Sequence, residues 1–549
     1  MLAKGRYVLV ILSLLLQSIQ SQNTTPDSIV DLGYARYRGL HNSTLKQTTY
    51  YGLHYAHSPT GTLRWKSAIP IARSNPHNPP NHAIANSQNA PVINATIPAA
   101  TCIQGNPGWY PQELSPPNDG SSSEDCLTLN VIVPSSPPSS ELLPVVVTIH
   151  GGGYTTGSAL FTLPSPLFKH TTGSFIGVSL QYRLGAYGFL GSRKFVSEGG
   201  ETNLGLRDQR VALEWVRENI ARFGGDPDKI VIWGSSAGGG SLTAQMVYEG
   251  GGGEVREGWR LFRGSVVEYP WWQQFLRDEQ LERQYGYLLR AAGCKDLACL
   301  RGVDEKKLAN STREIYGVGY ETGEYPYGSF WFGPYVDGDI MKGLPSEEFE
   351  GKRFIDRPLL IDRDMYEGWS FTNMSLETKE DEEKDLRTVF PYATAEFRKR
   401  LDEVYPREAF NSTLSRRATW FGDMTIHCPT RLLAEVHANA WKLVFNAGTQ
   451  THAATAFFLY DLPDMIGPKY NATLAAIMKD WVGSFAVHVD PNIRSWSNVS
   501  KPHWDEYHST EKRPTVLANQ TEIGVPGDLD LVIDDRCQFW RQYRGIAQN

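Results

Sequence analysis

The chain has no excess of basic charge: 53 lysines and arginines face 60 aspartates and glutamates in 549 residues, a net charge of −7. Without a basic field it has little hold on nucleic acid, and a neutral or cationic substrate suits it better than an anionic one. Internal repeats and long low-complexity tracts are missing, so a solenoid or a tethered array is excluded. The apolar run from Tyr7 to Leu16 is too short to span a bilayer. With Lys4 and Arg6 before it and small and polar residues after it through Ser21, it reads as a secretory signal over residues 1–21. The polar C-terminal tail lacks the hydrophobic stretch of a lipid-anchor signal. No cysteine or histidine spacing suits a metal ion, and no cofactor is expected.

Cysteine is scarce, with six residues, but their spacing suits an oxidising compartment. A sequential pairing would join Cys102 to Cys126 around a Pro/Gly/Ser-rich loop, Cys294 to Cys299 in a tight one, and Cys428 to Cys537 across the C-terminal region. Sequons at Asn23, Asn42, Asn94, Asn310, Asn373, Asn411, Asn471, Asn498 and Asn519 point the same way, to a secreted glycoprotein.

From Val145 onward, predicted strands and helices alternate. Strands are expected at 145–149, 177–182, 230–233, 358–361 and 455–460, and helices at about 206–222, after Ser236, and at about 280–292, 429–441 and 475–486. That succession implies a large, mostly parallel sheet with helices on both faces, an α/β architecture. Residues 252–350 are aromatic and irregular and read as an insert that forms the pocket.

Two glycine-rich turns carry the chemistry. The apolar run Lys229-Ile-Val-Ile-Trp233 breaks into Gly234-Ser235-Ser236-Ala237-Gly238 and then a small-residue helix. This is the pattern of a nucleophile elbow, with Ser236 as the attacking hydroxyl and Gly234 and Gly238 leaving room for a tight turn. Upstream, Pro144–Ile149 ends in His150-Gly151-Gly152-Gly153-Tyr154. Its free backbone N–H groups can receive the negative oxygen formed when a serine attacks an ester. Gly152, Gly153 and Ala237 are the expected donors, converging near a buried Ser236.

These segments resemble the type-B carboxylesterases, a family that includes cholinesterases, fungal lipases and the non-catalytic neuroligins. The resemblance runs from Gly61-Thr-Leu-Arg-Trp65 through Glu124-Asp-Cys-Leu-Thr-Leu-Asn130, Tyr182-Arg-Leu-Gly185, Asn203-Leu-Gly-Leu-Arg-Asp-Gln209, Phe223-Gly-Gly-Asp-Pro227 and Pro334-Tyr-Val-Asp-Gly338. It implies an α/β-hydrolase fold over residues 22–549. It also supports the three disulfides, the third being most like that of cholinesterases. The family acid lies in an Asp-Glu-Gly segment, matched by Tyr366-Glu367-Gly368, so Glu367 is the implied triad acid.

The family histidine lies in a His-Gly-X-Glu segment after a late strand. That strand is 455–460 here, and the interval that follows it, 461–471, contains no histidine and is shorter than in relatives. A dropped exon, a deletion or a non-catalytic descendant would each explain this, and the space between Glu367 and Ser236 is expected to be empty. His427, His452 and His488 lie elsewhere, and none is assigned as the base. Trp271 and Trp272 fall where relatives build the acyl pocket and would favour small or flat acyl groups. Ser235 stands where cholinesterases carry glutamate, which argues against a choline ester. The expected protein is a secreted serine carboxylesterase acting on a small-molecule ester, with a non-catalytic binding or adhesion protein on the same fold as the alternative.

Overall fold

In the computed structural model, residues 28–71, 91–110, 121–136, 141–252 and 260–549 are described. The signal segment and Asn23 lie outside them. The sheet strands are β1 (Ile29–Asp31), β2 (Arg36–Asn42), β3 (Gln47–His54), β4 (Val92–Ala95), β5 (Thr128–Pro134), β6 (Leu143–Ile149) and β7 (Ile176–Leu180). They continue with β8 (Gly225–Ser235), β9 (Gly264–Glu268), β10 (Leu359–Asp364), β11 (Ala440–Asn446), β12 (Thr515–Asn519) and β13 (Ile523–Gly524). All thirteen form one sheet in the order β1-β2-β3-β5-β7-β6-β8-β9-β10-β11-β12-β13, with β4 beside β2. From β7 through β12 the pairings are parallel; the first strands and the last are antiparallel, except that β4 runs parallel to β2.

The central strands read as unbroken apolar runs because both of their faces are covered. In β8, Ile230 and Ile232 enter one core while Val231 and Trp233 enter the other. The helices that matter here are α1 (Leu204–Asn219), α2 (Ala237–Val247), α3 (Asp278–Ala292), α4 (Glu305–Glu321), α5 (Cys428–Val436), α6 (Ala454–Leu459) and α7 (Ala472–His488). The first anchors through a buried pair in which Arg183 Nε and Nη2 donate to Asp208 at 2.8 and 2.7 Å. The insert holds α3 and α4 and is more regular than its composition suggests.

Two assignments change. The helix expected to reach Trp441 stops at Val436, and Ala440–Asn446 is the late strand. Residues 455–460, expected as a strand, lie within α6 and its last turn. A short apolar run such as Phe457-Phe-Leu-Tyr460 suits either element, and tertiary packing decides: Phe458 sits edge-on against Phe445 of β11, with centroids 5.0 Å apart. The three disulfides join Cys102 to Cys126, Cys294 to Cys299 and Cys428 to Cys537. Among the described residues no helix is long and apolar enough to cross a membrane, and no group of acids, histidines or cysteines could hold a metal ion.

Candidate active site

Ser236 stands between the end of β8 and the first residue of α2, at φ 54° and ψ −126°. That backbone is costly for any residue with a Cβ and persists because its surroundings over-determine it. The Ser236 N–H donates to the Glu268 carbonyl at 3.1 Å, and its carbonyl accepts from the N–H of Gly240 and of Trp271, both at 2.9 Å. The flanking glycines are required: a Cβ on Gly238 would lie 2.1 Å from the Ile149 carbonyl oxygen, and one on Gly234 would lie 2.6 Å from Gly238. Ser236 is half-buried rather than fully buried.

The His150–Tyr154 loop lies against this turn. A Cβ on Gly151 would fall 3.0 Å from Ser236 Cβ and 3.6 Å from the Ala237 nitrogen. Gly152 and Gly153 both adopt positive φ, 105° and 62°. Their N–H groups and that of Ala237 donate to no acceptor among the described residues. Free backbone donors on a loop packed against a serine turn are what a developing oxyanion needs. His150 has a separate, structural place: its ring stacks on Tyr182, and burial pushes its pKa down to about 4.

Glu367 is fully buried on the turn after β10. Its Oε1 accepts from the Asp364 N–H at 2.6 Å, which leaves Oε2 for a second partner. That partner is His452. Its Nδ1 lies 2.6 Å from Glu367 Oε2 and its Nε2 lies 2.9 Å from Ser236 Oγ. The expected empty space is therefore filled, and the expectation of a missing histidine is overturned. The cause is the shift of the late strand. With β11 ending at Asn446, the loop that follows it is 447–453, and His452 sits there, ahead of α6.

Of the His-Gly-X-Glu pattern, His452-Ala453-Ala454-Thr455 keeps the histidine alone. Ala453 nonetheless holds the left-handed conformation that glycine would favour, at φ 74°. The signal that could have located the histidine is the turn sequence Asn446-Ala-Gly-Thr449 closing a strand-like Ala440–Phe445 run. His427 pairs instead with Asp423 at 2.8 Å, and His488 ends α7.

Burial pushes the His452 pKa down to about 4, against the pull of Asp364. Burial also pushes Glu367 up to about 7, opposed by His427, the Asp364 N–H and Arg363. A neutral imidazole results, with one nitrogen turned to the acid and the other free to take a proton from the serine. The rings of Phe371 and Tyr269 lie edge-on to it at 4.8 and 5.0 Å and fix its plane.

Trp271 comes to the site, its ring 4.5 Å from Phe371, 5.7 Å from Phe330 and 6.5 Å from His452. Trp272 does not. It stacks on Phe349 and donates to Thr243 Oγ1 at 3.0 Å, on the inner side of α2. Phe330, missed in the sequence, packs directly on the His150–Tyr154 loop, where a Cβ on Gly153 would collide with its ring.

A model described as the carboxylesterase family matches residues 26–540. The chain is 28% identical to the cholinesterase of Mus musculus, over 96% of this chain and 89% of that one. It is 29% identical to lipase 1 of Geotrichum candidum, over 85% and 87% of the two chains. The crystal structure of Aspergillus niger EstA superposes with a TM-score of 0.78 at 26% identity, covering 96% of this chain and all of that one.

Proposed function

Because the chain belongs to the carboxylesterase family, we propose that it is a serine-type carboxylic ester hydrolase whose triad is Ser236, His452 and Glu367. The observation that carries this reading is the imidazole held between hydroxyl and carboxylate at 2.9 and 2.6 Å. His452 Nε2 takes the Ser236 proton as Oγ bonds to the ester carbonyl carbon. The carbonyl oxygen becomes an oxyanion within reach of the Gly152, Gly153 and Ala237 N–H groups. The imidazolium, stabilised by Glu367, returns the proton to the departing alcohol, leaving an acyl-Ser236. Water then attacks that ester with His452 as base, releasing the acid and restoring the serine.

Trp271, with Phe330 and Phe371, forms the wall on the acyl side and favours small or flat acyl groups on a neutral ester. A secreted, glycosylated protein is part of the reading, supported by three disulfides and by exposed sequons at Asn94, Asn310, Asn411 and Asn498. The non-catalytic alternative rested on an absent histidine and loses its support.

The test is hydrolysis of a small aryl acetate by the purified chain and by Ser236→Ala and His452→Ala. Each variant is expected to lose at least about 10³-fold in kcat while keeping its fold by circular dichroism. Wild-type turnover that survives Ser236→Ala would overturn the reading.

A further inference from the structure

We propose that Asp364 is the positioning residue that holds the His452 ring in line between Glu367 and Ser236, an inference that rests on the triad reading above. Asp364 is the last residue of β10, and its side chain is fully buried. Its Oδ2 accepts the Ala454 N–H at 2.9 Å, and its Oδ1 accepts both the Thr455 N–H at 3.1 Å and the Thr455 hydroxyl at 2.9 Å. Its own N–H donates to Glu367 Oε1. One residue thus grips both neighbours of the histidine contact. Its backbone orients the acid so that Oε2 faces the ring, and its carboxylate pins the two residues just past Ala453.

The grip is needed because Ala453 is left-handed without being glycine. A strained residue next to a functional ring relaxes unless its surroundings over-determine it, and here three hydrogen bonds to one carboxylate supply the constraint. Burying Asp364 is otherwise unfavourable. The charged and titratable groups facing it are Glu268 at the end of β9 and Tyr269 just after it, Asp362 on its own strand, Glu367 on the next turn, and His452. An acid placed among acids, with its oxygens given to the segment that carries His452, is a support for that segment.

The experiment compares wild type, Asp364→Asn and Thr455→Val in kcat, KM and melting temperature. It adds the proton NMR signal of the His452 Nδ1–H held by Glu367, expected far downfield in the wild type. In Asp364→Asn the amide turns an NH₂ or a single oxygen toward donors that need two acceptors. Its kcat should fall by about 10 to 100-fold with KM within about twofold, and the downfield proton should broaden or vanish. Thr455→Val, which removes one bond and no charge, should lose severalfold in kcat with KM unchanged. It decides the matter if Asp364→Asn fails to fold. Wild-type kcat and an unaltered downfield proton in the folded variants would overturn the proposal, as would a loss confined to melting temperature. If the wild type shows no Ser236-dependent turnover, the triad reading fails, and the NMR signal alone then judges whether Asp364 places the ring.

Discussion

The two faces of β10 bury charge in opposite ways. On one face Arg363 donates through Nε to Asp530 at 3.2 Å, and Lys442 of β11 lies 2.5 Å from both Asp528 and Asp530. Every member of that group has an opposite partner, and the Tyr507 hydroxyl takes up the remaining Asp528 oxygen. Although burial opposes it, Arg363 and Lys442 hold the Asp530 carboxyl far below its usual range. On the other face Asp362 and Asp364 lie beside Glu268, the register partner of Asp362 on β9, with Glu367 just beyond. Burial pushes Glu268 up to about 8, opposed by the Trp233 N–H and reinforced by Asp364. Burial and the three neighbouring acids raise Asp362 likewise. Balanced charge makes a rigid brace; unbalanced acids mark the side where protons are handled.

The most severe way to break this contrast is to unbalance the brace. Lys442→Met leaves Asp528 and Asp530 buried with half their compensation and should destabilise the fold by about 3 to 5 kcal/mol, read as a lowered denaturation midpoint. An unchanged midpoint would mean that the face is not the brace described.

Glu268→Gln acts on the acid face and should work in the opposite direction. With its folded pKa raised to about 8, Glu268 holds a proton that the unfolded chain releases near 4.5. The wild type therefore loses stability as pH rises from about 4.5 to 8, by at most a few kcal/mol. The variant keeps the Trp233 bond through its amide oxygen, so it should melt higher than wild type at pH 8 and about the same at pH 5. Equal melting of variant and wild type at both pH values would show that folding does not raise the Glu268 pKa.

The same face should set the acid limb of kcat/KM. The His452–Glu367 unit is competent when the imidazole is neutral and the carboxylate ionised, and it is silenced when it takes up a further proton. With His452 lowered to about 4 and Glu367 raised to about 7, activity should approach its plateau about one unit above pH 7 and fall as pH drops through about 7. A midpoint more than about one unit above pH 7 would contradict the assignment.

Ala453→Gly sharpens the contrast with the smallest effect. Relief of the left-handed strain, worth about 1 kcal/mol, is partly cancelled by the extra freedom of an unfolded glycine. The melting temperature should rise by a few degrees at most.

Much of the candidate site was legible in the chain itself. Gly234, Ser236, Gly238 and the His150–Tyr154 run announce themselves because an elbow and a donor loop are made by backbone packed on backbone. Only certain residues fit those contacts, and they are contiguous. Most of the helices and strands of the central layer were legible for a similar reason, since a strand covered on both faces must be apolar throughout. Glu367 was reached through its place in a family pattern, next to a glycine whose Cβ would lie 1.8 Å from the Ala418 carbonyl. What the chain could not disclose by itself was His452. Its position depends on whether Ala440–Asn446 or Thr455–Tyr460 enters the sheet, and both are short apolar runs with equal local claims. Packing settled it, by pairing Leu443 and Phe445 with β10 and leaving the second run to coil under the cap that Asp364 supplies. The acid face was equally hidden, because Glu268, Asp362 and Asp364 are ordinary carboxylates along the chain and become a cluster only when parallel strands set them side by side.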